Sequence, residues 1–151
     1  MRVDRRWRIA IFVVIAAAAL LVLSQTVFDQ PPEECKPVKD MLDFNSSQGE
    51  LIASKASDSD PAVPTAAEDA VYQQWADGMA QRAQQVTEPN LAATAIQVAD
   101  ATSKFVAMLP RARAESENHA PGAPAPPSFF EMTLLNKRIG DGLNQLADAC
   151  S

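Results

Sequence analysis

Four arginines, Arg2, Arg5, Arg6 and Arg8, stand before an unbroken apolar run from Ile9 to Leu23, which Ser24-Gln25-Thr26-Val27-Phe28 carries on to Asp29. Such a run has no polar face to turn toward water, so it belongs in lipid or must be removed. As a helix, Ile9 to Phe28 measures about 30 Å, the thickness of a hydrocarbon core. The basic residues all precede the run, and the first charges beyond it are Asp29, Glu33 and Glu34. Cytoplasmic loops collect Lys and Arg, so residues 1–8 are expected inside the plasma membrane, 9–28 across it, and 29–151 on the extracytoplasmic side. A cleaved signal peptide is the competing reading, with the cut after Ser24. No Ala-x-Ala follows the apolar run, which favours a retained anchor. The residues before Cys35 do not suit a lipoprotein signal, and Arg5-Arg6 lacks twin-arginine flanks.

The remainder is acidic. Of 13 basic and 19 acidic residues, the first 28 hold four arginines and Asp4, which leaves nine against 18. A surface of that sign repels phosphate backbones and anionic lipid headgroups, so nucleic acid is excluded as a partner. The 123 residues from Asp29 onward suffice for one small domain. Abundant alanine, with few β-branched runs, predicts an all-α fold.

Four helical segments of similar length follow from the apolar spacing. The first runs from about Lys36 to Ala53, with Pro37 in its opening turn and Val38, Met41 and Leu42 on its apolar side. A polar loop, Ser57 to Pro64, separates it from the second, which Thr65-Ala66-Ala67-Glu68 opens as a capping box. Val71, Trp75, Met79, Arg82 and Val86 then recur at helical spacing until Thr87-Glu88-Pro89. The third segment spans Asn90 to Leu109, with Leu91, Ala95, Val98, Thr102, Phe105 and Leu109 in one stripe, and Pro110 is expected to close it. Residues 110–128 read as a Pro-rich, extended and mobile linker. A second capping box, Ser128-Phe129-Phe130-Glu131, opens the last segment, whose stripe is Met132, Leu135, Ile139, Leu143, Leu146 and Cys150.

Cys35 and Cys150 are the only two cysteines. In an antiparallel four-helix bundle the start of the first helix and the end of the last lie together. Outside the cytoplasm the two thiols are therefore expected to form one disulfide. They bracket the domain rather than forming a C-x-x-C pair, which speaks against redox catalysis. The short spacer Asp29 to Glu34 keeps the cysteine end near the bilayer. The Thr87–Pro89 turn shares that end, and the Ser57–Pro64 loop and the Pro-rich linker occupy the far tip.

Site chemistry is absent from the pattern. His119 is the sole histidine, in a loop, with no companions at metal or haem spacing. No nucleophile elbow, phosphate-binding glycine loop or apolar carboxylate pair is visible, so no catalytic, metal or cofactor site is assigned. The glycosylation tripeptide Asn45-Ser46-Ser47 is discounted in a composition that reads as bacterial. Four aromatic residues are the candidates for a partner contact. Tyr72 and Trp75 sit at core spacing but belong to types enriched at interface hot spots. Phe129 and Phe130 are adjacent, so only one can face the core.

The arginine-flanked apolar segment, the Ala-rich acidic remainder and the bracketing Cys35 and Cys150 resemble the small single-pass or exported envelope proteins of actinobacteria, mycobacteria above all. A narrower likeness, to mycobacterial haemophore-type helical domains, stops at the cysteine pair. No helix carries a histidine and Tyr72 is the sole tyrosine. The expectation is a non-enzymatic, membrane-anchored accessory or scaffold protein acting through protein contacts. The alternative is an exported carrier or sensor of an apolar small molecule, since Ala-rich helices can enclose a cavity.

Overall fold

The computed structural model describes residues 32–55 and 63–151. The expected membrane segment, its cleavage site and most of the Ser57–Pro64 loop lie outside these residues. Within them the chain is all-helical: α1 is Lys36–Lys55, α2 Asp69–Ala83, α3 Pro89–Glu117 and α4 Pro127–Ala149. Short 3-10 turns, Glu33–Cys35 and Ala66–Glu68, lead into α1 and α2. No strand occurs among the described residues, nor is any described helix long and apolar enough to cross a membrane.

The register of side-chain pairs gives the topology, because numbers fall on one helix as they rise on its neighbour. Asp40 and Asn45 of α1 meet Arg82 and Trp75 of α2. Trp75 and Asp69 of α2 meet Phe105 and Arg113 of α3. Val98 and Arg111 of α3 meet Gly142 and Glu131 of α4. Consecutive helices are therefore antiparallel, and Cys35 joins Cys150 across 115 residues with their Cα atoms 5.6 Å apart. The expected antiparallel bundle closed by one disulfide is the fold found.

Burial explains why these segments hold together. Val38, Met41, Met79, Val98, Leu109 and Leu146 are sealed from solvent. Each such side chain contributes about 1.5–3 kcal/mol relative to exposure. Weak points in α1 are held by their side chains: Asn45 accepts the Trp75 indole N–H of α2 at 3.0 Å, and within α1 the Ser47 hydroxyl donates to the Asp43 carbonyl at 2.9 Å. Two glycines permit close approach. A Cβ at Gly78 would collide with the Phe44 ring, and one at Gly142 with Val98. The far end of the Phe44 ring thus sits against α2 at Gly78, and the Arg82 guanidinium covers it 3.8 Å from the ring centre.

Caps mark the starts. Glu68 accepts from the Thr65 N–H at 2.7 Å and from its hydroxyl at 2.8 Å, and the expected capping box is present. At α3 the Glu88 carboxylate accepts the Leu91 N–H at 2.7 Å, with Pro89 in the first turn. Glu88 is thus a start signal as well as the end of the preceding segment.

Two expectations fail at the far end. Pro110 does not close the third helix; α3 continues through it to Glu117, reaching 29 residues. A proline inside a helix costs about 3 kcal/mol through the lost hydrogen bond and ring clash. That cost is offset by what the extra turns bring into contact. Ala112 is buried, and Arg113 makes a bidentate pair with Asp69 at 2.7 and 2.8 Å while donating to the Pro64 carbonyl at 3.1 Å. The 110–128 linker shrinks accordingly to 118–126. The Ser128–Glu131 capping box does not form either. α4 starts at Pro127, with Pro126 as its cap residue and no side-chain cap. Ser128 is buried inside the first turn, and its N–H donates to Glu115 of α3 at 3.2 Å.

Candidate interaction surface

Tyr72 and Trp75 are spent largely on packing. Their rings stand 6.4 Å apart, edge to face, and each meets Phe105 of α3, at 6.5 and 6.1 Å respectively. Pairs of this geometry add about 0.5–1.5 kcal/mol beyond area burial. With the Trp75–Asn45 hydrogen bond, this cluster ties α1, α2 and α3 together. Burial, followed by the nearby Glu68 carboxylate, raises the Tyr72 phenol above its ordinary value, so it stays neutral.

The phenylalanine pair divides as adjacency requires. Phe129 is half-buried, and Phe130 is 63% exposed. One turn further along α4, Leu134 is 59% exposed. These two apolar side chains, four residues apart, share one helix face. Ile96, the other large exposed hydrophobic residue among those described, lies on α3.

Leu134 forms one wall of a groove along the outer seam of α3 and α4. Its first half is a mostly apolar recess of about 480 Å³, bounded by Ala107 and Met108 on α3 and by Glu131, Leu134 and Leu135 on α4. Its second half, about 380 Å³, runs on toward Thr94, Gln97 and Gln145 over a floor of Val98, Ala101 and Gly142. Lys104, Leu135 and Arg138 border both, so the two recesses are neighbours along the seam. Gly142 makes the groove possible, since a side chain there would wedge the helices apart at Val98.

The electrostatics of the groove are uneven. Lys104 pairs with Asp100 at 2.7 Å, and Lys137 with Asp141 at 2.5 Å, each within its own helix. Arg111 pairs with Glu115 and stands 3.9 Å from Glu131. Arg138 has no ion-pair partner among the described residues. Where the end of α3 meets the start of α4, the Glu115 carboxyl is held below the usual carboxylate range, first by Ser128 and then by Arg111. The Ser128 hydroxyl lies in that carboxylate's field, sealed from solvent, without closing a hydrogen bond of good geometry.

His119 is a loop residue whose Nε2 lies 3.1 Å from the Ala123 carbonyl. Among the described residues no group of three or more His, Cys, Asp or Glu is placed to hold a metal ion. Sequence reasoning required one of Phe129 and Phe130 to stay outside the core without choosing between them, and the structure leaves Phe130 exposed. It missed the groove, because Met108 and Leu134 belong to different helices and each reads as ordinary on its own. No protein-family model matches this chain, and no curated protein or solved structure matches it, so its function is argued from its own residues.

Proposed function

We propose that this chain is a non-enzymatic, single-pass accessory or scaffold protein of the cell envelope, anchored by residues 9–28 and acting through protein contacts. The tether confines the helical body to the membrane surface, which raises its effective concentration toward a neighbouring envelope protein. The observation that carries this reading is the pairing of exposed Phe130 and Leu134 with an open, mostly apolar groove on a body whose core is already filled. Contiguous exposed apolar surface of that kind marks interaction sites. The disulfide supports export, because paired structural thiols belong to oxidising compartments.

Carriage of an apolar small molecule is the second reading. The 480 Å³ recess has a suitable volume. Its open side would leave such a ligand wet, which favours a macromolecular partner.

Two measurements on native membranes test the proposal together. Protease added to right-side-out vesicles should cleave within residues 118–126, and inverted vesicles should protect them. Cross-linking should yield one defined complex, lost on Phe130→Ser. Cleavage only in inverted vesicles would overturn the topology, and an uncross-linked chain would overturn the scaffold role.

A further inference from the structure

We infer that the outward face of α4 around Leu134 binds a second copy of this chain, the two α4 helices pairing antiparallel about a two-fold axis. The inference rests on the reading of that face as a protein contact and names the partner. Apolar surface comes first. Phe130 and Leu134 are two of the three large exposed hydrophobic residues among those described, and one helical turn separates them on α4. On the helix, residues 131 and 138 fall to one side of Leu134, and residues 130 and 137 to the other. The seam with α3 agrees. Glu131 and Arg138 border the recess that Leu134 walls, whereas Phe130 and Lys137 are not part of its lining.

Charge sets both the occupant and its direction. From Asp29 onward the chain has nine basic against 18 acidic residues, so two copies repel over most of their surfaces. Around Leu134 the signs balance. Lys104 pairs with Asp100 and Lys137 with Asp141, which leaves one anion, Glu131, and one cation, Arg138. Glu131 is approached only by Arg111 at 3.9 Å, a residue that Glu115 already holds at 2.7 Å. Glu131 stands three residues before Leu134, and Arg138 four after it. A two-fold axis across α4 at Leu134 reverses the helix while keeping its two sides in register. Glu131 of each copy then meets Arg138 of the other, so the pair forms twice. Leu134 packs on its own mate, and Phe130 lies along the Lys137 stem of the second copy. A parallel pair would set Glu131 against Glu131 and Arg138 against Arg138, which repels. A bilayer suits the face poorly, because Glu131, Lys137, Arg138 and Asp141 surround the two apolar side chains. One contact helix from each copy makes a small interface, so the dimer is expected to be reversible and concentration-dependent.

The test is a concentration series of the full chain in mild detergent, read as protein mass by sedimentation velocity. The chain should pass from monomer to dimer. Arg138→Glu and Glu131→Arg should each weaken the dimer by about tenfold or more, because the two-fold axis doubles every new like-charge contact. The double variant Glu131→Arg/Arg138→Glu rebuilds both pairs with the signs exchanged, and should return to within about threefold of the unaltered chain. Leu134→Asp should leave only monomer. Circular dichroism and an unreduced Cys35–Cys150 bond establish that each variant is folded. A monomer at every concentration would overturn the inference. So would a dimer indifferent to both single variants, which would assign association to residues 9–28 or to a parallel pairing. A double variant as weak as the single ones would overturn it too. If the chain stays monomeric while the native-membrane complex persists, that complex holds a different protein; the dimer inference then falls and the scaffold reading stands.

Discussion

At one end of the bundle a covalent bond between Cys35 and Cys150 joins the chain just before α1 to the residue after α4. At the other end Arg113, Asp69, Glu115 and Ser128 hold the helix ends together with charge and hydrogen bonds. The two closures act on different states of the chain. In the chain-entropy account a disulfide works mainly on the unfolded ensemble, removing conformations whatever the pH or salt. The polar closure exists only when folded, and it weakens whenever one of its groups changes charge. The bundle is therefore expected to be stiff at the cysteine end and conditional at the tip.

Breaking the covalent end should have the largest effect. The Cys35→Ser/Cys150→Ser chain, in mild detergent, should lose about 4–5 kcal/mol of unfolding free energy. Its thermal midpoint should fall by about 15–20 °C. A loss below about 1 kcal/mol would mean that the bridge constrains little. Arg113→Ala attacks the opposite end and should cost about 2 kcal/mol in urea unfolding, because it strands Asp69 and the Pro64 carbonyl. The same variant should speed exchange of amide hydrogens in residues 111–117 while leaving those beside Cys35 unchanged.

Pro110→Ala sharpens the contrast in the other direction. It restores the hydrogen bond that α3 lacks, and should stabilise the chain by about 1–2 kcal/mol after allowing for the looser unfolded chain. A destabilised variant would show that the proline fits this position of α3 better than alanine does. Acid should have the smallest effect, confined to the tip. The folded-state Glu115 carboxyl lies below its ordinary value, so its contribution is complete above about pH 4.3 and fades as pH falls through the lower folded value. Glu115→Gln should remove that part of the acid dependence in a pH series of urea midpoints.

The same contrast separates what the sequence revealed from what it concealed. The cysteine end was legible because it needed only a count of two thiols and the up-down geometry of four helices. The α4 stripe was legible because Leu135, Ile139 and Leu146 carry a local period, and all three are buried. The tip was misread because its determinants are remote. Pro110 is a helix stop on local grounds, and the groups that overrule it, Asp69 and Pro64, lie 44 and 49 residues away from Arg113. Ser128 looks like a helix cap, but Pro126 and Pro127 start α4 earlier and turn it inward, where Glu115 meets its N–H. The groove was invisible for the same reason. Adjacency alone required one of Phe129 and Phe130 to stay outside the core, whereas Met108, Leu134 and Arg138 become a surface only when α3 and α4 pair.

The central claim is that a disulfide-closed helical body is carried on the non-cytosolic side of a membrane. Alkylating the full chain in intact cells, followed by mass measurement, tests it most directly. No adduct before reduction and two after it is the expected result; two adducts without any reductant would contradict both the closure and the compartment.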